Sequence, residues 1–332
     1  MRNPFPFFSL LLITLSASAI ENDSIPEKSV KDWSHELVEM RKLNDTINLS
    51  IIDAGQLYTE RWDTLAHPLF WKEIMLLSPD SCVINVAKNR EVVAKFSVAD
   101  WNKFSDDQKD LYRDSIRKEK GLTAEDKVYM TTGKSDFYQF DAVLPSVGKG
   151  VAVFNEIGVD PWYAQAILMI ESPGKIAKSN AGAYGPFQLM PGVARSHGLR
   201  VDKHVDERKD FVKSAKGAAS LISNTCIPEA RKILTAHNIE FNENDVWFRL
   251  FVLHIYHAGA GNVSAVMNVI NPEKGGGDLI QTMWRSTGGQ FKNASQNYSQ
   301  LALAALIILD EIIWERCEDL AEEQTDTDSK KG

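Results

Sequence analysis

The chain has 332 residues, of which 44% are hydrophobic and 25% are charged, and its formal net charge is −8. This length is enough for one large domain or two modest ones. The acidic balance argues against a nucleic-acid-binding protein, which needs a basic face, and it gives no attraction to an anionic membrane surface.

The N-terminus has the features of a secretory signal peptide. Arg2 precedes an apolar run through Leu15, and Ala17-Ser18-Ala19 is similar to the small-residue cleavage site of such peptides. The apolar run is too short for a transmembrane anchor, and no cysteine that would carry a lipid follows it. We therefore expect residues 1–19 to be removed and the mature protein to be periplasmic.

Residues 20–141 are predicted to form a smaller, separate α+β region. Residues 33–58 carry apolar side chains in a rough helical rhythm, which predicts a helix. Ser105 is a candidate N-cap for a second helix that extends through Arg117. No motif in this region can be tied to chemistry.

Two hairpins are also predicted in this region. Residues 83–96 and residues 128–140 each alternate between apolar and polar side chains, and the second segment would turn at Gly133. Four large aromatic residues are of types that can bind sugars, although core packing is the favoured interpretation. They are Trp62, Trp71, Trp101 and Tyr138.

One predicted helix ends in a single carboxylate. Asp160 is a natural N-cap, and Pro161 suits the first helical position because its missing N–H would have no partner there. Residues 162–170 are almost entirely apolar, which predicts a buried helix. Glu171 follows at the C-terminal tip, shortly before Pro173 ends the helix. Burial and the negative end of the helix dipole should both raise the pKa of this carboxyl, as a general acid requires.

The segment after Glu171 favours a functional role over the alternative, in which this side chain simply points into water. Residues 179–191 are rich in glycine and other small residues, which is typical of a tight ribbon that lies close to a ligand. Gln188 and Met190 bring a polar amide and a thioether to the end of this ribbon.

The chain from residue 142 onward is predicted to be mainly helical, with Asp141, Asp210, Asp245 and Asn262 as candidate N-caps. The predicted helices span 144–157, 191–198, 210–224, 228–237, 245–257, the segment after Asn262, and 293–323.

Three stretches of this part are predicted to differ from ordinary surface helices. Residues 271–290 are rich in glycine and are predicted to be a loop that forms a mobile cleft wall. Residues 301–313 are the most apolar, but Asp310 and Glu311 interrupt them, so we expect a core helix instead of a membrane span. The polar tail 323–332 is predicted to be disordered.

Several short motifs follow one another in this part of the chain. Glu171-Ser172 is an E-S element, and residues 179–191 read S-x-x-G-A-x-G-x-x-Q-x-M-P. Residues 255–263 read I-Y-H-A-G-A-G-N-V, and Ser295 and Tyr298 follow in an S-x-x-Y spacing. Together these motifs resemble those of the lytic transglycosylases of the soluble-lytic-transglycosylase (goose-lysozyme-like) superfamily, over roughly residues 144–320.

The chain departs from the family pattern at several positions. The link from Ser172 to Ser179 is one residue shorter than usual. His257 stands where the family has asparagine, Pro186-Phe187 replaces Leu-Met, and Ser295 replaces threonine. These departures affect the substrate subsites and leave the acid intact.

The resemblance implies a mainly α fold, in which residues 142–322 form a lysozyme-like helical catalytic domain with a small β ribbon. It also implies cleavage of the β-1,4 bond between N-acetylmuramic acid and N-acetylglucosamine in peptidoglycan, without a cofactor or a metal. Glu171 would act first as the acid and then as the base that closes a 1,6-anhydro ring. The acetamido group of the substrate would replace a second carboxylate.

The same resemblance implies roles for five further residues. Tyr256 would hydrogen-bond and position Glu171. Four side chains would line the glycan cleft, namely Ser179, Gln188, Met190 and Tyr298. For the two tyrosines, the alternative is a buried aromatic side chain with a satisfied hydroxyl.

Other functions are weighed against this one. His254 and His257 are one helical turn apart, but the sequence has no H-E-x-x-H pattern, so a metal site is not predicted. A hydrolysing muramidase would need a second acid, such as Asp202 or Asp206, because no carboxylate lies between Glu171 and Asp202. The third alternative is a catalytically silent glycan-binding or scaffold protein, against which the intact Glu171 argues.

The three cysteines allow two interpretations. Export permits a disulfide, so Cys226 and Cys317 either pair or remain thiols like Cys82.

Overall fold

The structure is a computed structural model of the chain, and it describes residues 37–41, 48–171 and 178–329. The predicted signal peptide and Ser172 lie outside the described residues. Helices dominate the described part, together with two small antiparallel sheets. The predicted mainly α fold class is therefore confirmed.

The prediction of a helix over 33–58 is wrong for most of its described part. Strand β1 (Leu37–Arg41) pairs antiparallel with β2 (Asn48–Ile52), and only the short α1 (Gly55–Thr59) is helical. The main chain of Ile52 exchanges two hydrogen bonds with the side-chain amide of Gln165, at 2.8 and 2.9 Å. Pairing with distant groups thus overrides the local apolar rhythm, as is common for β-branched residues.

The next elements are the three strands of a second sheet, three helices and a 3₁₀ turn. They are a 3₁₀ turn (Trp62–Thr64), α2 (Ala66–Leu76), β3 (Ser81–Val86), β4 (Val92–Ser97), α3 (Val98–Trp101), α4 (Asp106–Glu119) and β5 (Val128–Thr132). The hairpin predicted over 83–96 is confirmed as β3 and β4. Ser105 caps α4 as predicted, in a reciprocal capping box with Gln108.

The second predicted hairpin, over 128–140, is wrong. β5 pairs with the free side of β3, so the strand order is β4-β3-β5. The chain then turns at Gly133, which packs against the main chain after α2; a Cβ there would lie 2.2 Å from the carbonyl oxygen of Leu77. From that point the chain enters the next helix instead of a fourth strand.

The remaining helices are α5 (Phe140–Glu156), α6 (Pro161–Glu171), α7 (Pro191–Ser196), α8 (Phe211–Leu221), α9 (Ile227–Ala236), α10 (Val246–Ala258), α11 (Ala260–Ile270), α12 (Gly277–Met283) and α13 (Asn293–Ser329). The α5 helix includes Pro145, and its N-cap is Gln139, which leaves Asp141 in the first turn. Asp210 caps α8 as predicted, by accepting a hydrogen bond from the Lys213 N–H.

Three helix boundaries differ from the predicted ones. A π-helical segment (Ile222–Cys226) joins α8 to α9, so the predicted break before Pro228 does not occur; such a segment takes up the irregularity that a proline introduces. Helix α11 follows Gly259, not Asn262, because Gly259 adopts a φ of 81° that lets the chain turn sharply after α10. The last helix continues to Ser329, beyond the predicted end at Glu323.

Helix α12 lies inside the stretch that was predicted to be a glycine-rich loop, residues 271–290. Gly275 and Gly276 precede this helix and Gly277 begins it, which made the segment resemble a loop. Its apolar residues Leu279, Ile280 and Met283 are nevertheless buried. The loop prediction is therefore wrong for these residues.

One hydrophobic core unites most of these elements. It extends from Ile51 and Ile52 through α5, α6 and α10 to Ile313 of α13. A second, smaller core lies around Cys82 and Trp101. The four aromatic residues singled out in the N-terminal region are 2–9% exposed, which confirms the interpretation as core side chains: Trp62, Trp71, Trp101 and Tyr138.

The most apolar part of α13, Asn293–Glu315, is long and apolar enough to cross a membrane by length and composition. Of its most apolar window, 72% is buried inside the protein, which is the property of a core helix. Cys82 and Cys226 are buried free thiols, as in the second interpretation of the cysteines.

Candidate active site

Helix α6 is fixed at its N-terminal end and delivers Glu171 at the other. Asp160 Oδ1 accepts a hydrogen bond from the Trp162 N–H at 2.9 Å, which satisfies one free donor of the first turn. Asp160 Oδ2 pairs with Arg249 Nε at 2.8 Å, and both side chains are buried. Every residue from Pro161 to Ile170 is buried, and Glu171 is half-buried. The helix predicted from the sequence is thus confirmed.

The surroundings of Glu171 favour its protonated form. Burial raises the pKa of this carboxyl to about 7, because an ionised carboxylate loses hydration there. The hydroxyl of Tyr298 opposes this effect by donating to Oε1 at 2.8 Å, a bond that stabilises the charged form. Desolvation dominates, so the direction agrees with the prediction.

The hydroxyls of the two predicted site tyrosines have different hydrogen-bond partners. Tyr298 of α13 was expected to line the glycan cleft, but it is 4% exposed and bonds Glu171 directly. Tyr256 of α10 was expected to bond Glu171, but its hydroxyl donates to the main-chain oxygen of Phe187 at 2.6 Å. A phenol has a single proton to donate. The hydroxyl that donates to Glu171 is therefore that of Tyr298, and the positioning of Glu171 by Tyr256 stays a prediction.

The glycine-rich ribbon turns tightly after Tyr184. The main chains of Tyr184 and Leu189 form an isolated antiparallel bridge. Between them Gly185 has a φ of 87°, and a Cβ there would lie 1.9 Å from the carbonyl oxygen of Arg208. Phe187 is fully buried and stacks on Phe154 at 5.7 Å. The ribbon is thus anchored to the core by its aromatic side chain.

Three predicted cleft residues lie in or beside this ribbon. Gln188 adopts a φ of 46°, and its side chain donates to the Gly185 oxygen at 3.0 Å. The Ser179 hydroxyl is exposed and accepts from the Ala183 N–H at 2.9 Å, which closes the first turn. Met190 is 41% exposed, at the N-cap position of α7. Ser179 and Met190 are open to solvent, while the Gln188 amide serves the turn itself.

Comparison with known families identifies the origin of this arrangement. Residues 154–270 match the family model described as "Transglycosylase SLT domain". The chain carries a transglycosylase SLT domain. The match runs from the end of α5 through α11, so it includes Glu171, the ribbon and Tyr256. This match supports a lysozyme-like function that acts on peptidoglycan. Comparison with curated proteins gives no match.

The ribbon of the SLT domain depends on Arg208, a residue that the sequence analysis missed. Arg208 is 3% exposed and donates to the main-chain oxygens of Gly182 and Leu189, each at 2.9 Å. Its guanidinium also forms a bidentate pair with Asp206, at 2.9 and 2.8 Å. In the sequence Arg208 stands within a run of charged residues, which normally indicates a solvated surface, so no signal distinguished it.

The two acids considered for a muramidase are both engaged elsewhere. Asp206 holds Arg208, which lowers the pKa of its carboxyl. Asp202 accepts from Arg200 Nε at 2.7 Å and from the N–H groups of His204 and Val205, and these bonds lower its pKa to about 2. Each carboxylate therefore stabilises its own loop in the ionised form.

Two further residues lie near Glu171 or its partner Tyr298. Tyr138, which precedes α5, lies within electrostatic reach of Glu171, and burial together with this negative neighbour raises the pKa of its phenol. The ring of His257 stacks on Tyr298 with a centroid separation of 4.3 Å. His254 instead faces Ser299, with Nε2 2.9 Å from the hydroxyl.

Proposed function

We propose that the chain is a lytic transglycosylase that cleaves the β-1,4 bond between N-acetylmuramic acid and N-acetylglucosamine and leaves 1,6-anhydromuramic acid ends. The observation that carries this proposal is the half-buried Glu171, whose pKa burial raises to about 7, within an SLT domain. Such a carboxyl holds a proton near neutral pH and can also take one up. The proposed reaction uses no cofactor.

The bond from Tyr298 indicates which oxygen of Glu171 delivers the proton. A protonated carboxyl has one O–H and one carbonyl-like oxygen. Because the Tyr298 hydroxyl donates to Oε1 at 2.8 Å, Oε1 is the acceptor, and the transferable proton belongs on Oε2. Burial raises the pKa of the Tyr298 phenol well above its usual value, so this hydroxyl stays a donor throughout the working range.

The proposed reaction has two steps. Glu171 Oε2 gives its proton to the leaving O4 of N-acetylglucosamine as the bond from C1 to O4 breaks, and the substrate's own acetamido oxygen stabilises C1. The ionised Glu171 then removes the proton of the muramic O6 hydroxyl, and O6 forms the new bond to C1. This attack is intramolecular, which gives it a high effective molarity relative to water. Glu171 is protonated again at the end.

The engagement of Asp202 and Asp206 favours this route over hydrolysis. A hydrolysing enzyme of the two-carboxylate type needs a second acid that activates water or stabilises the cation at C1. Asp206 is committed to the buried Arg208, and Asp202 accepts three hydrogen bonds within its own loop.

Mass analysis of muropeptides released from purified peptidoglycan tests the proposal. We expect products that end in 1,6-anhydromuramic acid, each lighter by one water than the hydrolysed product. Glu171→Gln should abolish their release, since general acid–base catalysis is worth roughly a hundred- to ten-thousand-fold. Near wild-type release by this variant would overturn the proposal.

Two carboxylate variants separate the proposal from the muramidase alternative. Asp202→Asn should leave the anhydro products unchanged. Asp206→Asn should also leave their chemistry unchanged, once a melting curve has verified that the variant is folded, because Asp206 supports Arg208. Reducing muramic ends that disappear in either variant would establish hydrolysis instead.

We further propose that the protein works in the periplasm after removal of residues 1–19. The support is the sequence pattern that ends at Ala19 and the location of the substrate. N-terminal sequencing of the mature protein should begin near Ile20. Retention of Met1, or a lipid on the chain, would contradict this.

A further inference from the structure

His257 is a position at which this SLT domain differs from the family pattern, and it touches the residue that bonds the acid. It lies in the last turn of α10, where asparagine is usual in the resembling motif. Its ring lies almost flat on the ring of Tyr298, with an interplanar angle of 24° and a centroid separation of 4.3 Å. His257 is an exposed residue.

The backbone beneath Tyr298 is fixed independently of His257. Ser299, the next residue of α13, is buried, and its hydroxyl lies 2.9 Å from His254 Nε2. The indole N–H of Trp284 donates to the same hydroxyl at 2.7 Å. These bonds hold the α13 main chain, but they do not set the torsion that swings the Tyr298 ring.

The ring torsion of Tyr298 decides whether its hydroxyl reaches Glu171. A stacked neighbour restricts that torsion, because swinging the ring would break a contact that aromatic pairs favour at this spacing. A shift of the hydroxyl by about 1 Å is enough to lose a hydrogen bond of 2.8 Å. His257 is therefore placed to hold the hydroxyl in position without touching the acid.

We propose that His257 is a positioning residue: by stacking on Tyr298 it keeps the Tyr298 hydroxyl on Oε1 of Glu171, and so keeps the transferable proton on Oε2. This role rests on the proposed function for its catalytic consequence. The geometric part, that the stack holds the hydrogen bond to Glu171, does not depend on which reaction the site performs.

The test compares three variants with the wild type. His257→Ala removes the stack, His257→Phe keeps a ring without the imidazole nitrogens, and Tyr298→Phe removes the hydroxyl. His204→Ala is the matched control, since His204 is an exposed histidine of a different loop. For each protein, the pKa of Glu171 is measured by ¹³C NMR of labelled carboxyl groups, with the resonance assigned by its loss in Glu171→Gln. The kcat and KM are measured on a soluble muramyl glycan chain of defined length.

The expected result is a graded loss. Tyr298→Phe should raise the pKa of Glu171 by about one unit, because a hydrogen bond that favours the charged form is gone. His257→Ala should also raise the pKa of Glu171. It should lower kcat by about threefold to tenfold and leave KM unchanged. His257→Phe should restore most of that loss. In the Tyr298→Phe background, His257→Ala should have no further effect on kcat.

Two outcomes would overturn the positioning role. The first is a His257→Ala protein with a melting curve like the wild type, an unchanged Glu171 pKa and a raised KM, which would mean that His257 binds the glycan. The second is an equal loss in His257→Phe and His257→Ala, which would assign the role to the imidazole nitrogens. Failure of the proposed function appears separately, as activity that survives in Glu171→Gln.

Discussion

Glu171→Gln should stabilise the protein, and increasingly so as the pH rises. The folded-state pKa of Glu171 is raised from 4.5 to about 7 by burial. Between these two values the folded protein binds a proton that the unfolded chain has lost. Its free energy of unfolding therefore falls as the pH rises from the unfolded pKa through the folded one. Glutamine is neutral at every pH and can still accept the Tyr298 hydrogen bond, so the variant is free of this loss.

The size of the effect follows from the two pKa values. One pKa unit corresponds to about 1.4 kcal/mol, so complete ionisation of Glu171 in the folded protein costs roughly 3 kcal/mol. Some of that cost is already present at pH 5, because the unfolded carboxyl is ionised there. Between pH 5 and pH 8 the advantage of the variant over the wild type should grow by about 2 to 3 kcal/mol. For a chain of this size that is a difference of roughly 5 °C in Tm.

Urea denaturation at pH 5 and at pH 8 measures this difference, with thermal melts as a second readout. Glu125→Gln is the matched control, because Glu125 is an exposed glutamate in the loop after α4. It should follow the wild type at both pH values. An advantage of Glu171→Gln that is the same at pH 5 and pH 8 would refute the reasoning, since it would mean that ionisation of Glu171 is not opposed by its surroundings. The activity of the variant plays no part in this test.

Three further substitutions have expected outcomes. Tyr298→Phe should move the alkaline limb of kcat/KM upward by about one pH unit, because the pKa of Glu171 rises when the donor is lost; a limb that moves downward in pH–rate measurements would contradict this. Arg208→Ala should lower the free energy of unfolding by about 3 to 5 kcal/mol in urea denaturation, since it leaves buried polar groups without their partner; a loss below about 1 kcal/mol would mean that water replaces the guanidinium. Gly185→Ala should destabilise the protein more than Gly182→Ala does: both glycines have positive φ, but only at Gly185 would the added Cβ meet backbone. Equal melting temperatures for these two variants would contradict that.

Local signals were sufficient for the part of the site that lies on one helix. The N-cap Asp160, Pro161 and a continuous apolar run all predict the same helix. Glu171 is the last residue of that helix. Ser105 is a second case, because it was predicted as an N-cap from its residue type and caps α4, with Gln108 completing the capping box. Where several local preferences agree, the sequence is read correctly.

Long-range packing decided what the sequence analysis missed. The motifs implied that Tyr256 bonds Glu171, but only the packing of α10 against α13 determines which hydroxyl donates to it, and that hydroxyl belongs to Tyr298. The strands β1 and β2 pair with each other, and the main chain of Ile52 is also held by the distant Gln165, a contact that the local apolar rhythm does not reveal. Arg208 shows the same limit for a single residue: its buried carbonyl partners belong to a turn at 182–189 that sequence spacing does not locate.

The two hydrogen bonds between Ile52 and Gln165 set the smallest fragment of this protein that can fold. Gln165 lies in the middle of α6 and is 3% exposed. Excision of the chain upstream of the family match would leave this amide buried with neither of its partners, on the helix that carries the acid. The boundary of sequence similarity at residue 154 is therefore not a boundary of cooperative folding. The strands β1 and β2 therefore help to stabilise helix α6. A fragment that begins at residue 154 should be insoluble or molten, whereas one that begins before Leu37 should fold.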